Sequence, residues 1–493
     1  MLGLYPADVV RRAEQDLMQR VPEGSLMQIA ARGLATRILQ FVRDVRGSVA
    51  GARVVLLVGA GNNGGDALFA GAYLRRRGMH VHAVMVTKSF HEPGAQALLL
   101  AGGAVLSAHE GLDLIRRADV LVDGIVGIGA RGALREPAAK VVTRANQADA
   151  LRVAVDVPSG IGVDDGGVEG IAFDADATVT FGCYKPGLFL HPGRVHAGAV
   201  HLVDIGLRQE LPDPTMRVLD VLDVAELLSE PEPDDHKYRR GVVGIAAGSP
   251  AYPGAAVLTV GAARYSGVGM VRFLDRGDAV APRVIGSFPD VVADPRDART
   301  DSRVKAWGCG PGFTEVDTQA VEMVLAEPTP IVLDAGALNA LAASEGLLRA
   351  LRTRSERGRT TIVTPHEGEY ARLFGAETPS LEAAEDWGVV LVRKGPATTI
   401  TTPEGTVYVD PMGTPDLAVA GSGDVLTGLM AGLLAARPSE DPSTVAAAAV
   451  WLHGLSGRCA AADEQPVTSM DIAAFLPRAI ARTRTGDLAG CGL

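Results

Sequence analysis

Residues 53–78, RVVLLVGAGNNGGDALFAGAYLRRRG, constrain this chain more than any other stretch. The continuous apolar run from Arg53 to Val58 reads as a buried strand. It empties into a Gly/Asn turn, and apolar residues at helical spacing follow, closed by a basic last turn and Gly78. Strand, glycine turn and helix in that order form the βα unit of an α/β fold, in which turn N–H groups and a helix N-terminus meet an anion. The turn lacks GxGxxG in its usual form and carries Asn62, Asn63 and Asp66 instead. The amides offer a ligand both donors and acceptors, and the aspartate adds a fixed charge. The amides could also serve only the turn's own backbone.

The same grammar recurs along the 493 residues. Residues 5–46 read as two helices, and strands are expected at 80–86, 118–123 and 151–156, with a helix at 94–104 between the first two. A segment rich in Pro and acidic residues, 207–235, carries one short helix at 223–228 and reads as a connector. Strand, glycine loop and helix then resume at 242–256, 305–312, 329–341 and 360–375, with a hairpin-like alternation around Pro403, Glu404 and Gly405. The length alone favours two cores. The expectation is an α/β domain over 1–212, a connector over 213–235 and a second α/β domain over 236–493.

Composition limits the partners. A net charge of −11, with no Lys/Arg-rich block interleaved with aromatics, argues against nucleic acid. No apolar run reaches the roughly 18 residues of a membrane span, and the N-terminus lacks a signal-peptide core, so the cytoplasm is expected. Cys183, Cys309, Cys459 and Cys491 are scattered without a CxxC, which suggests neither zinc nor a disulfide framework.

Three aspartates stand where strands end: Asp66 inside the first turn, Asp123 before a glycine loop that includes Gly127, and Asp156 before Pro158, Ser159 and Gly160. Ligands of open parallel sheets bind outside the carboxyl ends of strands, so these residues are expected to converge on one crevice. With Asn63 and Ser159 beside them, this oxygen-rich set suits a hard cation better than zinc. Lys185, in CYKPG, could bring a positive charge there or be a solvated loop lysine.

In the second half, AVAGSGDVLTG (418–428) brackets a serine with glycines and adds Asp424 before an apolar helix. The turn suits phosphate, whereas the aspartate's charge opposes it. Asp424 therefore looks placed to remove a proton beside a phosphate, unless it merely caps the helix.

Taken together, GSGD (421–424), KGPAT (394–398), TPHEGE (364–369), HKYRRG (236–241), YPGAA (252–256), GCGPG (308–312) and LDAGALNAL (333–341) resemble the ribokinase-like ADP/ATP-dependent NAD(P)H-hydrate dehydratases. GNNGGD (61–66), VDGIVGIG (122–129) and VDVPSG (155–160) resemble the NAD(P)H-hydrate epimerases, a Rossmann-like three-layer fold. Both together resemble the bifunctional nicotinamide-nucleotide repair enzymes over nearly the whole chain. The resemblance implies epimerisation of R and S hydrates of NADH and NADPH, and dehydration of the S form as ADP, or ATP, is cleaved. It implies Asp424 as the base, and Asp156, which it makes a substrate contact, is the candidate acid/base of the epimerase. Substrate contacts carry over to Asn62, Asn63, Gly64, Gly65, Asp66, Gly127 and Asp156, and to Ala255, Gly312, His366 and Asp424. Nucleotide contacts carry over to Lys394, Gly395, Pro396, Ala397, Thr398, Gly421 and Gly423, with Mg2+ implied by the nucleotide. K+ carries over to Asn63, Asp123 and Ser159, and a homo-oligomer is expected.

Three positions depart from the family pattern: Ala67 where a glycine is usual, Gly336 where an aspartate is usual, and Ala420 where a glycine is common. For His366 and KGPAT, plain helix capping and a strand-end turn are the competing readings. A small-alcohol kinase would use the same glycine–aspartate feature but would not need the first half. A dinucleotide-binding protein with one inactive half is the other rival.

Overall fold

The computed structural model describes all residues except 130–131, 229, 277–278, 296–301, 315–317, 463–465 and 489–493. The chain divides into two compact bodies, Gly3–Met216 and Arg217–Leu493 with Met1–Leu2.

In the first body, two helices, α1 (Ala7–Met18) and α2 (Ser25–Arg46), precede the sheet. Its strands are β1 (Arg53–Val58), β2 (His80–Met85), β3 (Ala104–Ser107), β4 (Val120–Gly124), β5 (Leu151–Val155), β6 (Ala177–Phe181) and β7 (Ala199–Val203). They lie in the order β3-β2-β1-β4-β5-β6-β7, every pair parallel. The apolar run of β1 has a simple cause. Val54, Leu56 and Val58 join the core on one face, while Val55 and Leu57 join the core on the other. A strand covered on both faces cannot alternate with polar residues. The order reverses between β1 and β4, which is where a doubly wound sheet opens its crevice. Helix α3 (Asn62–Arg76) points its N-terminus there. Ala67 is fully buried against the space left by Gly124, where a Cβ would come within 2.6 Å of the alanine methyl, so its extra methyl is already housed.

The second body contains β8 (Val242–Ala246), β9 (Met270–Leu274), β10 (Val292–Asp294), β11 (Ala306–Cys309), β12 (Ile331–Leu333), β13 (Thr361–Val363), β14 (Val390–Arg393), β15 (Thr399–Thr401) and β16 (Val407–Val409). These nine run in the order β16-β15-β14-β13-β12-β11-β8-β9-β10. All pair in parallel except β14–β15 and β15–β16, the latter being the hairpin around Gly405. Here the order reverses between β8 and β11. Helices α4 (Pro253–Arg264), α5 (Gly336–Ala343), α6 (Glu367–Phe374), α7 (Ser422–Ala436) and α8 (Pro442–Ala461) surround the site. From Val425 to Ala435 every residue of α7 is buried, which explains why it is apolar all round. Its approach to α4 depends on Gly428, where a Cβ would sit 1.9 Å from the Thr259 carbonyl oxygen.

Two expectations change. The helix expected over 94–104 is Glu92–Leu100, ending ahead of Gly102 and Gly103. Cys459 is disulfide-bonded, although the cysteine spacing suggested no disulfide; such pairing is set by proximity in the fold, which spacing does not reveal. Cys491 lies outside the described residues.

Candidate active sites

In the first body the strand-end aspartates are held by two hydrogen-bonded sets that meet at Asn63, whose Nδ2 reaches the Val155 carbonyl next to Asp156. The first is built on Asp156, just past β5. Its backbone has φ +65°, one of only two non-glycine residues with positive φ among the described residues. Its Oδ1 accepts hydrogen bonds from Lys185 Nζ (2.6 Å), Thr180 Oγ1 (3.0 Å) and Phe181 N (3.2 Å). Lys185 is buried, and it also donates to Thr180 Oγ1 at 3.0 Å and to the Phe181 carbonyl at 2.8 Å. Asp66 is held well above the usual carboxylate range by burial first, then by the charges of Asp156 and Glu14. Burial and Asp156 likewise raise Glu14. The cluster thus joins an ion pair to a carboxyl that favours its proton, and the two can accept and donate a proton respectively.

The second cluster surrounds Asp123 at the end of β4. It is fully buried, and burial pushes its carboxyl up to about 6 despite hydrogen bonds that pull it down. Oδ1 accepts from Ser159 Oγ (2.7 Å) and Ile125 N (3.2 Å), and Oδ2 from Ser159 N (2.7 Å). Asn63 Nδ2 donates to the carbonyls of Val126 (2.9 Å) and Val155 (3.0 Å), and a Cβ on Gly127 would come 3.1 Å from Asn63 Oδ1. Asn63, Asp123, Ser159 and Gly127 are therefore packed together. The donors are all oxygens around one buried carboxylate. That chemistry fits a weakly charged hard cation.

In the second body, the site follows the carboxyl ends of adjacent strands. Past β12, Asp334 Oδ1 accepts from Lys394 Nζ (2.7 Å), and Oδ2 accepts from Thr427 Oγ1 (2.8 Å). Past β14, Lys394 reaches over the glycine turn: a Cβ on Gly423 would lie 3.2 Å from Nζ. Asp424 occupies the first turn of α7 after Gly421, whose φ is +85°. Burial, then the charge of Asp334, push the Asp424 carboxyl up to about 7, while Lys394 opposes the rise. Behind the turn, His453 on α8 has its Nε2 3.0 Å from the Ser422 carbonyl and 3.1 Å from Ser422 Oγ. Burial holds this imidazole down at about 4, so it stays neutral and donates from Nε2 to the carbonyl.

Gly312 and Ala255 meet at the reversal point between β8 and β11; a Cβ on Gly312 (φ +69°) would lie 2.6 Å from the Ala255 methyl. His366 caps α6, its Nδ1 accepting from Gly368 N (3.0 Å) and Glu369 N (3.3 Å), while its side chain stays exposed. Capping of α6 by His366 was the competing expectation. Gly395 and Pro396 are exposed, and Thr398 Oγ1 reaches the Gly395 carbonyl at 3.3 Å.

Residues 243–478 match the family model described as NAD(P)H-hydrate dehydratase, and residues 23–187 match that of the YjeF-related protein N-terminus. The chain is 40% identical over 461 residues to the bifunctional NAD(P)H-hydrate repair enzyme Nnr of Mycobacterium tuberculosis (strain CDC 1551 / Oshkosh), covering 91% of this chain and 92% of that protein. It belongs to the bifunctional NAD(P)H-hydrate repair enzyme family. The Mycobacterium leprae (strain TN) protein of the same name is 38% identical, covering 98% of this chain and 99% of its own. Among solved structures, an ADP/ATP-dependent NAD(P)H-hydrate dehydratase from Bacillus subtilis, co-crystallized with ATP/Mg2+, superposes with a TM-score of 0.45 at 31% identity. It covers 54% of this chain and 97% of its own.

Membership of the repair-enzyme family spans both bodies, which removes the need for a free-standing kinase reading. Two of the departures from the family pattern also find a place. At Gly336 a Cβ would come 2.5 Å from Phe313 Cβ, so this backbone leaves no room for a side chain. At the α7 turn, the left-handed conformation falls on Gly421 and spares Ala420. Glu14, Asp334, Thr427 and His453 were not assigned from sequence, and of these Asp334 carried a usable signal, as the aspartate of LDAGALNAL; of the two readings open for Lys185, the charge beside the crevice is the one formed.

Proposed function

We propose that Gly3–Met216 epimerises the R and S hydrates of NADH and NADPH, and that Arg217–Leu493 dehydrates the S hydrate at the expense of ADP. The observation that carries the second activity is Asp424, whose carboxyl is raised to about 7 one residue from the turn that Lys394 covers. The substrate hydroxyl gives its proton to Asp424 as its oxygen attacks the terminal phosphorus of ADP, and the bond to AMP breaks. The C–O bond then breaks as the ring nitrogen pushes its electron pair in, releasing phosphate and leaving an iminium, and loss of a proton from the neighbouring ring carbon to solvent restores the nicotinamide double bond. A base with a pKa near the working pH suits that first step. Lys394 and the N–H groups of the α7 turn face the charge on the transferring phosphoryl. Lys394, Gly395, Pro396, Ala397, Thr398, Gly421 and Gly423 are proposed to hold the nucleotide, and Ala255, Gly312 and His366 the hydrate.

Among the described residues no group of three or more His, Cys, Asp or Glu side chains is arranged to hold a metal. That fits Mg2+ carried mainly by the nucleotide phosphates, with Asp334 and Asp424 the nearby carboxylates. When bound, Mg2+ neutralises phosphate charge. K+ is proposed at the Asp123, Asn63 and Ser159 cluster, where it would balance a buried carboxylate. In the epimerase, Asp156 and Asp66 are proposed to exchange protons with the hydrate's hydroxyl and ring as water leaves and returns on the other face.

Two single substitutions separate the activities. Asp156→Asn should stop R/S interconversion while leaving dehydration of pure S hydrate intact. Asp424→Asn should do the reverse and still bind ADP. Loss of both activities in either variant would contradict this assignment.

A further inference from the structure

Helix α8 carries one permanently charged side chain, Arg458, in the run LHGLSGRCAA. No step above uses it. Residues 454, 457 and 458 share a face of α8, because residues three and four apart are neighbours on a helix. That face lies against the segment that joins β16 to the α7 turn. A Cβ on Gly454 would come 2.8 Å from the Met412 carbonyl carbon, and one on Gly457 would come 2.6 Å from Leu417 Cδ2. Over the same segment, Arg458 donates from Nε to the Met412 carbonyl at 2.7 Å and from Nη2 to the Gly413 carbonyl at 2.9 Å. Carbonyls outside helix and sheet need donors that no ladder supplies, and a planar guanidinium suits two successive ones.

The segment in turn meets the KGPAT loop. A Cβ on Gly413 would come 3.2 Å from the Pro396 carbonyl oxygen. Asp410, buried just past β16, accepts from Met412 N at 2.9 Å through Oδ1, and its own N–H donates to the Thr398 carbonyl at 2.9 Å. Met412 and Gly413 are therefore held to the KGPAT loop on one side and to Arg458 on the other. Earlier on α8, His453 holds the Ser422 carbonyl. One helix thus braces two separate loops, with Arg458 behind KGPAT and His453 behind the glycine turn.

We propose that Arg458 is a positioning residue for the nucleotide, fixing Met412 and Gly413 so that the loop Lys394–Thr398 keeps the shape that binds ADP. The proposal rests on the dehydratase reading above. Arg458 acts through the loop and not on the reacting atoms, so its loss should weaken nucleotide affinity and spare the chemical step.

The test titrates ADP into the full chain by calorimetry and follows NADH formation from pure S hydrate with ADP and Mg2+. Arg458→Met keeps the aliphatic stem and removes both donors. Loss of a charge-assisted hydrogen bond is worth about tenfold, and Kd and KM for ADP should rise by that factor. At saturating ADP, kcat and KM for the hydrate should stay unchanged, which also reports that the variant is folded. Arg458→Lys keeps the charge but replaces the fork by a single ammonium, so its Kd for ADP should fall between the two. If Arg458→Met does not fold, Arg458→Lys is read by the same comparison. An unaltered Kd for ADP in a folded variant, or an equal loss in kcat or in affinity for the hydrate, overturns the proposal. Should the unsubstituted protein form no NADH, the dehydratase reading fails, and the ADP titration still decides this proposal.

Discussion

Lys185 Nζ lies 2.6 Å from Asp156 Oδ1, and the two side chains are buried, with residue exposures of 1% and 7%. Three acceptors, on Asp156, Thr180 and Phe181, satisfy the ammonium. The aspartate meanwhile sits at φ +65°, a conformation that costs about 1–3 kcal/mol at a non-glycine residue. Strain and a buried charge pair thus coincide at one strand end, beside Asp66.

Lys185→Met keeps most of the volume and removes the charge, leaving Asp156 buried and unpaired. Breaking such a pair from one side costs roughly 3–5 kcal/mol. The urea midpoint of the first body should fall accordingly, and R/S interconversion should be lost below that midpoint. A variant with unchanged stability and full interconversion would mean that the ion pair holds nothing in place.

Much of this organisation was legible in the sequence, and the gaps have physical causes. The Arg53–Val58 strand was readable because double-sided burial leaves no polar position in it. The hairpin around Gly405 was readable from its turn residues. Strand-end positions for Asp66, Asp123 and Asp156 followed from spacing, but which partners each carboxyl bonds depends on where side chains turn, which spacing does not encode. For Lys185 the sequence left two readings open, a charge at the crevice or a solvated loop lysine, because it shows the loop and not its folding back onto β6. His453 stands in the apolar run AAAAVWLHGLSG, and nothing local links it to a serine 31 residues earlier. For His366 the sequence offered two roles, and the capping geometry is formed.

Asp424 sets a pH dependence in both rate and stability. Its folded carboxyl is raised to about 7 from the ordinary 3.8. As a base it acts only when deprotonated, so kcat for dehydration should rise between pH 6 and pH 8 and then level off. The linkage has the opposite sense. A carboxyl raised on folding contributes stability below about pH 4 that is lost as pH rises through about 7. Asp424→Asn should therefore be more stable than the unsubstituted protein at pH 8, by on the order of a few kcal/mol. The difference should shrink at pH 5. Equal urea midpoints at pH 8 would contradict the buried-carboxyl account.

Gly428→Ala tests the packing that seats the α7 turn. Its methyl would fall 1.9 Å from the Thr259 carbonyl oxygen, so α4 and α7 must part. Overpacking of this kind costs about 1–3 kcal/mol or more, and dehydration should weaken because Asp424 lies one turn away. Gly254→Ala on α4 is the control: nothing lies within 4 Å of its Cβ position, and stability should be unchanged or improved.

His453→Leu should loosen the turn from behind. The Ser422 carbonyl starts the helical bonds of α7 and keeps that partner, so losing the imidazole costs one net hydrogen bond, about 0.5–1.5 kcal/mol. ADP affinity, measured by calorimetry, should fall several-fold while R/S interconversion is retained. Unchanged affinity would show that the turn keeps its shape without the imidazole.

The most direct measurement follows the absorbance of reduced nicotinamide near ~340 nm after ADP and Mg2+ are added to an R/S mixture of NADH hydrate in K+ buffer. With both bodies active, absorbance should recover for nearly all of the hydrate, and one AMP and one phosphate should form per NADH. Recovery that stops at about the S fraction would contradict the epimerase assignment. No recovery with either ADP or ATP would contradict the central claim that Asp424 and its turn use phosphoryl transfer to expel water.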